Sequence, residues 1–148
     1  MCLSKLFGGT KPKSPSDWLR EDAMSYNEDT GILTVDLNKM NVQLEMPPRL
    51  WYPPIPDTGS MLPVFGAGNN NLLIWGRTPN DQKALLDFAK AGDIAVYRTD
   101  RFYAIHRIKK KIVGTVRKWI FRGDNNTVDD PDAASDEQLQ WVSLGTLY

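Results

Sequence analysis

The sequence predicts a mainly β protein with one or two short helices. Three observations carry this. Apolar and alternating runs of strand length recur along the chain, clustered prolines force extended backbone, and only one segment carries full helix-start chemistry. The length of 148 residues suits one domain with a real core, and 41% hydrophobic with 24% charged residues is ordinary for a globular protein.

Residues 1–15, rich in Lys, Gly, Ser and Pro, predict a loose tail, and residues 16–148 a single domain. Ser16 to Glu21 suggests a short helix. From Ile32 to Leu37 the chain alternates as a strand does, with Asn38-Lys39-Met40 as the expected turn and Asn41 to Met46 as the return strand. Pro47-Pro48, Pro53-Pro54 and Pro56 hold the approach to Ser60 extended. Gly66 to Asn71 is a turn cluster before the apolar strand Leu72 to Trp75. Thr78-Pro79-Asn80-Asp81 supplies a cap, a proline in the first helical position and an early acid. The helix should run to about Lys90, bury Leu85, Phe88 and Ala89, and stop at Gly92. Ile94 to Arg98, Phe102 to Ile108, Ile112 to Val116 and Lys118 to Phe121 read as strands. Ser135 to Gln138 suggests one helical turn, and Trp141 to Tyr148 a closing strand.

Charge and composition exclude several function classes. Eighteen basic and eighteen acidic residues cancel, so no global field favours nucleic acid. Cys2 is the sole cysteine, which excludes an internal disulfide and fits a reducing, cytoplasmic setting. No apolar run reaches the roughly 20 residues of a membrane helix, and Met1 to Lys13 lacks a signal-peptide core, so a soluble protein without a membrane anchor is expected. One histidine and one cysteine at opposite ends cannot assemble a zinc site. The run Asp124-x-Asn126-x-Val128 lacks the fifth-position oxygen and following glycine of a calcium loop. No metal or cofactor is expected.

Three separated pieces carry chemistry: Thr58-Gly59-Ser60-Met61-Leu62-Pro63, Ala104-Ile105-His106-Arg107-Ile108, and Gly123 to Asp130. A serine hydroxyl needs a base within reach and a group to orient that base, and these pieces hold a serine, the only histidine and three acids. Taken singly, each has a plain reading: Ser60 as a loop residue, His106 as a half-buried strand histidine, the acids as a surface turn. Lys109, Lys110 and Lys111 read as a solvated face at a turn, because three adjacent like charges are a poor setting for a neutral lysine base.

Taken together, the pieces resemble the signal-peptidase and LexA-type superfamily of serine peptidases. Thr58-x-Ser60-Met61-x-Pro63 resembles its nucleophile box, and Gly92-Asp93-Ile94-Ala95-Val96 its Gly-Asp-Ile/Leu-Val-x-Val strand. Ile105-His106-Arg107-Ile108 is similar to the base-bearing strand of the endoplasmic-reticulum and archaeal type, which uses histidine where the bacterial enzymes use lysine. Gly123-Asp124-Asn125-Asn126 with Asp129-Asp130 resembles the acidic box of that subgroup. All four boxes stand in family order between Asp57 and Asp130; Val64 departs from the usual threonine after the proline.

The resemblance implies coiled, partly barrel-like antiparallel sheets. It implies Ser60 as nucleophile, His106 as base and Asp130 as the orienting acid, supported by Asp124 and Asp129. Thr58 and the Ser60 N–H would form an oxyanion hole, and a peptide or protein substrate would bind as an extended strand beside Met61, Ile94 and Val96. Residues 1–57 do not resemble a helix-turn-helix domain, which argues against a self-cleaving repressor. A small soluble member, of the kind found among phage and prophage proteins, fits best. Two alternatives stand beside it: an inactive peptidase fold that binds protein, and autoprocessing at Phe7-Gly8-Gly9 or Ala67-Gly68. Oligomeric state is left open.

Overall fold

A computed structural model describes residues 16–147; the expected tail lies outside the described residues. The architecture is mainly β, with 39% strand, one helix and a curled, half-barrel sheet of seven strands. The strands are β1 (Met24–Asn27), β2 (Ile32–Val35), β3 (Arg49–Trp51), β4 (Asn70–Trp75), β5 (Ile94–Arg98), β6 (Tyr103–Ile112), β7 (Lys118–Arg122), β8 (Ala134–Ser135) and β9 (Leu139–Leu147). Helix α1 (Pro79–Phe88) falls between β4 and β5. β1 and β2 form a separate hairpin, and the large sheet runs β3-β4-β9-β5-β6-β7-β8, with every pairing antiparallel.

Helix α1 forms where cap chemistry demands it. The Thr78 hydroxyl accepts the Asp81 N–H at 3.1 Å, and Pro79 occupies the first turn, where its missing donor costs nothing. Leu85, Leu86 and Ala89 are buried against the sheet in a core that includes Ile74, Ala95, Ile108, Trp119, Phe121 and Val142. A second apolar cluster gathers Ile55, Met61, Val64, Phe65 and Ile94, with Ile105 packed on it. That cluster is the floor under Ser60.

Several elements differ from the sequence-based expectation. The β2 partner is β1, upstream, and no strand forms over residues 41–46. Asn27 closes the hairpin: its side-chain oxygen accepts the Thr30 N–H, its carbonyl accepts the Gly31 N–H, and Gly31 takes φ +67°. The stretch expected to return with β2 instead pairs with the N-terminal segment, through a Leu19–Met40 bridge and the Asn41 N–H to the Trp18 carbonyl. That pairing keeps residues 16–20 extended and leaves one 3-10 turn at Glu21–Ala23.

The expected strands Phe102–Ile108 and Ile112–Val116 are largely replaced by one ten-residue strand, β6. Lys109 to Lys111 therefore lie in a strand and not at a turn. Lys111 Nζ donates to the carbonyls of Leu86, Asp87 and Ala89 at 2.8, 2.8 and 2.9 Å, serving as a cation at the C-terminus of α1. Residues 135–138 make a tight turn after β8, closed by the Gln138 N–H to Ser135 carbonyl bond, and no helix. The last strand, β9, lies inside the sheet between β4 and β5.

Candidate active site

Ser60 stands at the start of a turn that the sequence builds with care. Gly59 adopts φ +68°, a conformation an L side chain resists. The Leu62 N–H returns to the Gly59 carbonyl, and the Phe65 N–H to Met61. The loop after β7 clamps this turn from outside. The Asn125 N–H donates to the Ser60 carbonyl at 2.8 Å, the Asn125 amide to the Gly59 carbonyl at 3.1 Å, and the Asp124 N–H to Met61 Sδ at 3.4 Å. Gly123 is needed for so close an approach: a Cβ there would lie 2.5 Å from the Ser60 carbonyl oxygen.

His106 projects from β6 opposite Ala95 of β5. Its Nε2 lies 3.1 Å from Ser60 Oγ, and its Nδ1 lies 2.6 Å from Asp130 Oδ2. A carboxylate can only accept, so Nδ1 carries the proton and Nε2 is left to accept from the serine hydroxyl. The side chains of His106 and Asp130 retain 14% and 10% of their exposure, so the line runs inward from an accessible alcohol to a mostly enclosed acid. Thr58 Oγ1 lies 3.2 Å from Ser60 Oγ on the solvent side. The Ser60 N–H makes no hydrogen bond to any described residue and is free to donate.

The fold separates the three acids by task. Asp130 is fixed by its own N–H bonding to the Phe121 carbonyl and meets the histidine. Asp124 is bound by Arg107, Nε to Oδ1 at 2.7 Å and Nη2 to Oδ2 at 2.6 Å, while Arg107 Nη1 donates to the Gly92 carbonyl. Asp129 accepts from Arg122 Nε at 2.7 Å near the surface. Neither of these two hydrogen-bonds to His106, so their support is indirect, through the loop that clamps Ser60.

Met61, Ile94 and Val96, the residues expected beside a substrate groove, lie beneath the surface. All three are buried, and β5 is paired with β6 throughout and with β9 from Ala95 to Tyr97. Met61 and Ile94 belong to the floor, and Val96, paired on both sides, offers no free backbone edge for an added strand. The free edge that leads into the Ser60 segment is β3, the first strand of the large sheet.

Two neighbours escaped the sequence reading. Tyr97 donates its hydroxyl to Asp130 Oδ2 at 2.6 Å, the same oxygen that faces His106, and its ring stacks on Phe121 at 4.2 Å. Burial, reinforced by that carboxylate, holds the phenol far above its ordinary range, so it remains a donor. In the sequence Arg107 stands only as a member of the Ile105–Ile108 strand motif, and a buried ion pair leaves no local signature. Among the described residues no group of three or more His, Cys, Asp or Glu could hold a metal ion, and no helix is long and apolar enough to cross a membrane. Comparison with protein-family models, with curated proteins and with solved structures returned no match.

Proposed function

We propose that this protein is a serine endopeptidase that cleaves peptide bonds with Ser60, His106 and Asp130, as a small relative of the histidine-type signal peptidases. One observation carries the reading: alcohol, imidazole and carboxylate stand in a single hydrogen-bonded line of 3.1 and 2.6 Å. Ser60 Oγ attacks the scissile carbonyl as His106 Nε2 takes its proton, and Asp130 holds the ring and the charge it acquires. The Ser60 N–H and the Thr58 hydroxyl receive the oxyanion. His106 then returns the proton to the leaving amine, and water repeats the sequence on the acyl-enzyme. The substrate lies extended along the edge that leads from β3 toward Ser60, and the setting is cytoplasmic, in a phage or prophage context.

The test is labelling by a fluorophosphonate probe, together with cleavage of fluorogenic peptides bearing small residues, in the wild type and Ser60→Ala. Labelling and cleavage that disappear with Ser60 support the reading. A folded wild type that is neither labelled nor able to cleave overturns it.

A second reading, a protein-binding module on the same scaffold, draws on an aromatic cluster. Trp141 packs against Trp51, Trp75 and Tyr103 at centroid distances of 5.2, 5.9 and 5.6 Å, and Trp51 and Tyr103 are exposed. In that case Ser60→Ala leaves partner binding intact.

A further inference from the structure

Asp130 Oδ2 is shared. It accepts from His106 Nδ1 and from the Tyr97 hydroxyl, both at 2.6 Å. The two donors arrive from adjacent strands, Tyr97 on β5 and His106 on β6, so the sheet itself sets the angle between them. The Tyr97 ring is locked by its 4.2 Å stack on Phe121, and Asp130 is tied by its N–H to the carbonyl of that same Phe121. Phenol and carboxylate thus stand on one rigid support.

We propose that Tyr97 is a positioning residue: its hydroxyl fixes Asp130 Oδ2 and sets how firmly that oxygen holds the His106 imidazole. A donor on a carboxylate oxygen disperses its negative charge, so less is left to stabilise a proton on the neighbouring ring. Removing the donor leaves Asp130 freer to rotate and a stronger partner for the imidazolium. The catalytic consequence rests on the peptidase reading above, whereas the effect on the ring does not.

The other charges around this group are accounted for. Asp132 acts on Tyr97 from the loop after β7. Arg122 is engaged with Asp129, and Arg107 with Asp124. Among the described residues, Asp130 is the one ionised group within hydrogen-bond reach of His106. Buried and facing a carboxylate, the phenol stays protonated across the working range, so its donor role does not switch off with pH.

The sequence contains one histidine, so the nitrogen NMR signals of a histidine-labelled sample report His106 alone. In Tyr97→Phe, which keeps the stacked ring, the His106 titration midpoint should rise by about half a unit or more. kcat on a fluorogenic peptide should fall about tenfold with KM within about twofold. A midpoint unchanged from wild type overturns the proposal, whatever happens to activity. If the wild type hydrolyses nothing, the peptidase reading fails, and the NMR midpoint still decides the role of Tyr97. Should Tyr97→Phe not fold, 3-fluorotyrosine incorporated into the wild type supplies a stronger donor. The midpoint should then fall, and one that stays put overturns the proposal.

Discussion

Arg107 grips Asp124 through two parallel hydrogen bonds of 2.7 and 2.6 Å, and the Arg107 side chain is only 7% exposed. One residue along the strand from His106, this pair ties β6 to the loop that clamps Ser60. Removing one partner strands a buried charge. Asp124→Ala should therefore cost about 3–5 kcal/mol in urea unfolding. The double variant Arg107→Met/Asp124→Ala should recover a large part of that loss, since no lone charge is left buried.

Ser60→Ala, His106→Ala and Asp130→Asn should each lower kcat/KM by about a thousandfold or more, with circular dichroism unchanged. Pairs of these changes should be no worse than the most damaging single one, because the three groups act as a unit. Additive losses in the pairs would speak against a shared proton-transfer step.

Gly123→Ala tests the clamp without touching a reacting atom. A methyl group 2.5 Å from the Ser60 carbonyl, and 2.8 Å from the Asn126 amide nitrogen, must push the loop outward. We expect about 1–3 kcal/mol of lost stability and a fall in kcat larger than the change in KM, from steady-state kinetics.

Lys111→Met removes the cation from the end of α1 and keeps most of the aliphatic stem. Three carbonyls, of Leu86, Asp87 and Ala89, lose their donor. The expected cost is about 1–2 kcal/mol in thermal or chemical unfolding, with the Ser60–His106 geometry unaffected.

Acid stability should report the cluster of Arg117, Asp87 and Asp136. Hydrogen bonds from Lys83 and then Arg117 hold the Asp87 carboxyl below its ordinary value of 3.8. For Asp136 burial pushes upward, but donation from Arg117 and Trp119 outweighs it, and the net direction is down. Both groups are depressed in the folded state, so the unfolded chain binds protons first as pH falls. Their contribution is complete above the ordinary carboxylate range and is lost as pH drops below about 3.8 through the lowered folded values. Asp136→Asn should flatten that part of the stability-against-pH curve, followed by tryptophan fluorescence.

The legible parts of the fold were those with local causes. The Thr78 cap and Pro79 marked the start of α1, and the apolar run of β5 was readable with both ends correct. Where the chain goes next was not legible. Residues 32–37 read as a strand, but nothing local says that its partner precedes it, since either neighbouring turn cluster could close a hairpin. Three consecutive lysines hid the length of β6, because charge argues for exposure and says nothing of three carbonyls at the end of a distant helix. At the site, the resemblance of the local motifs to the signal-peptidase boxes brought Ser60, His106 and Asp130 to notice. Tyr97 stayed hidden because a tyrosine in an apolar strand looks like packing. Its hydroxyl matters only once β5 and the loop after β7 are side by side.

The placement of β9 governs how the large sheet is closed. Backbone pairing never joins β4 directly to β5; the final strand is inserted between them and stitches both. The half of the sheet that leads to Ser60 and the half that carries His106 thus share one seam, residues 139–147, besides the direct hold of Asn125 on the Ser60 turn. Weakening β9 would therefore loosen both halves at once, so its substitutions report on the whole sheet and not on one side of it.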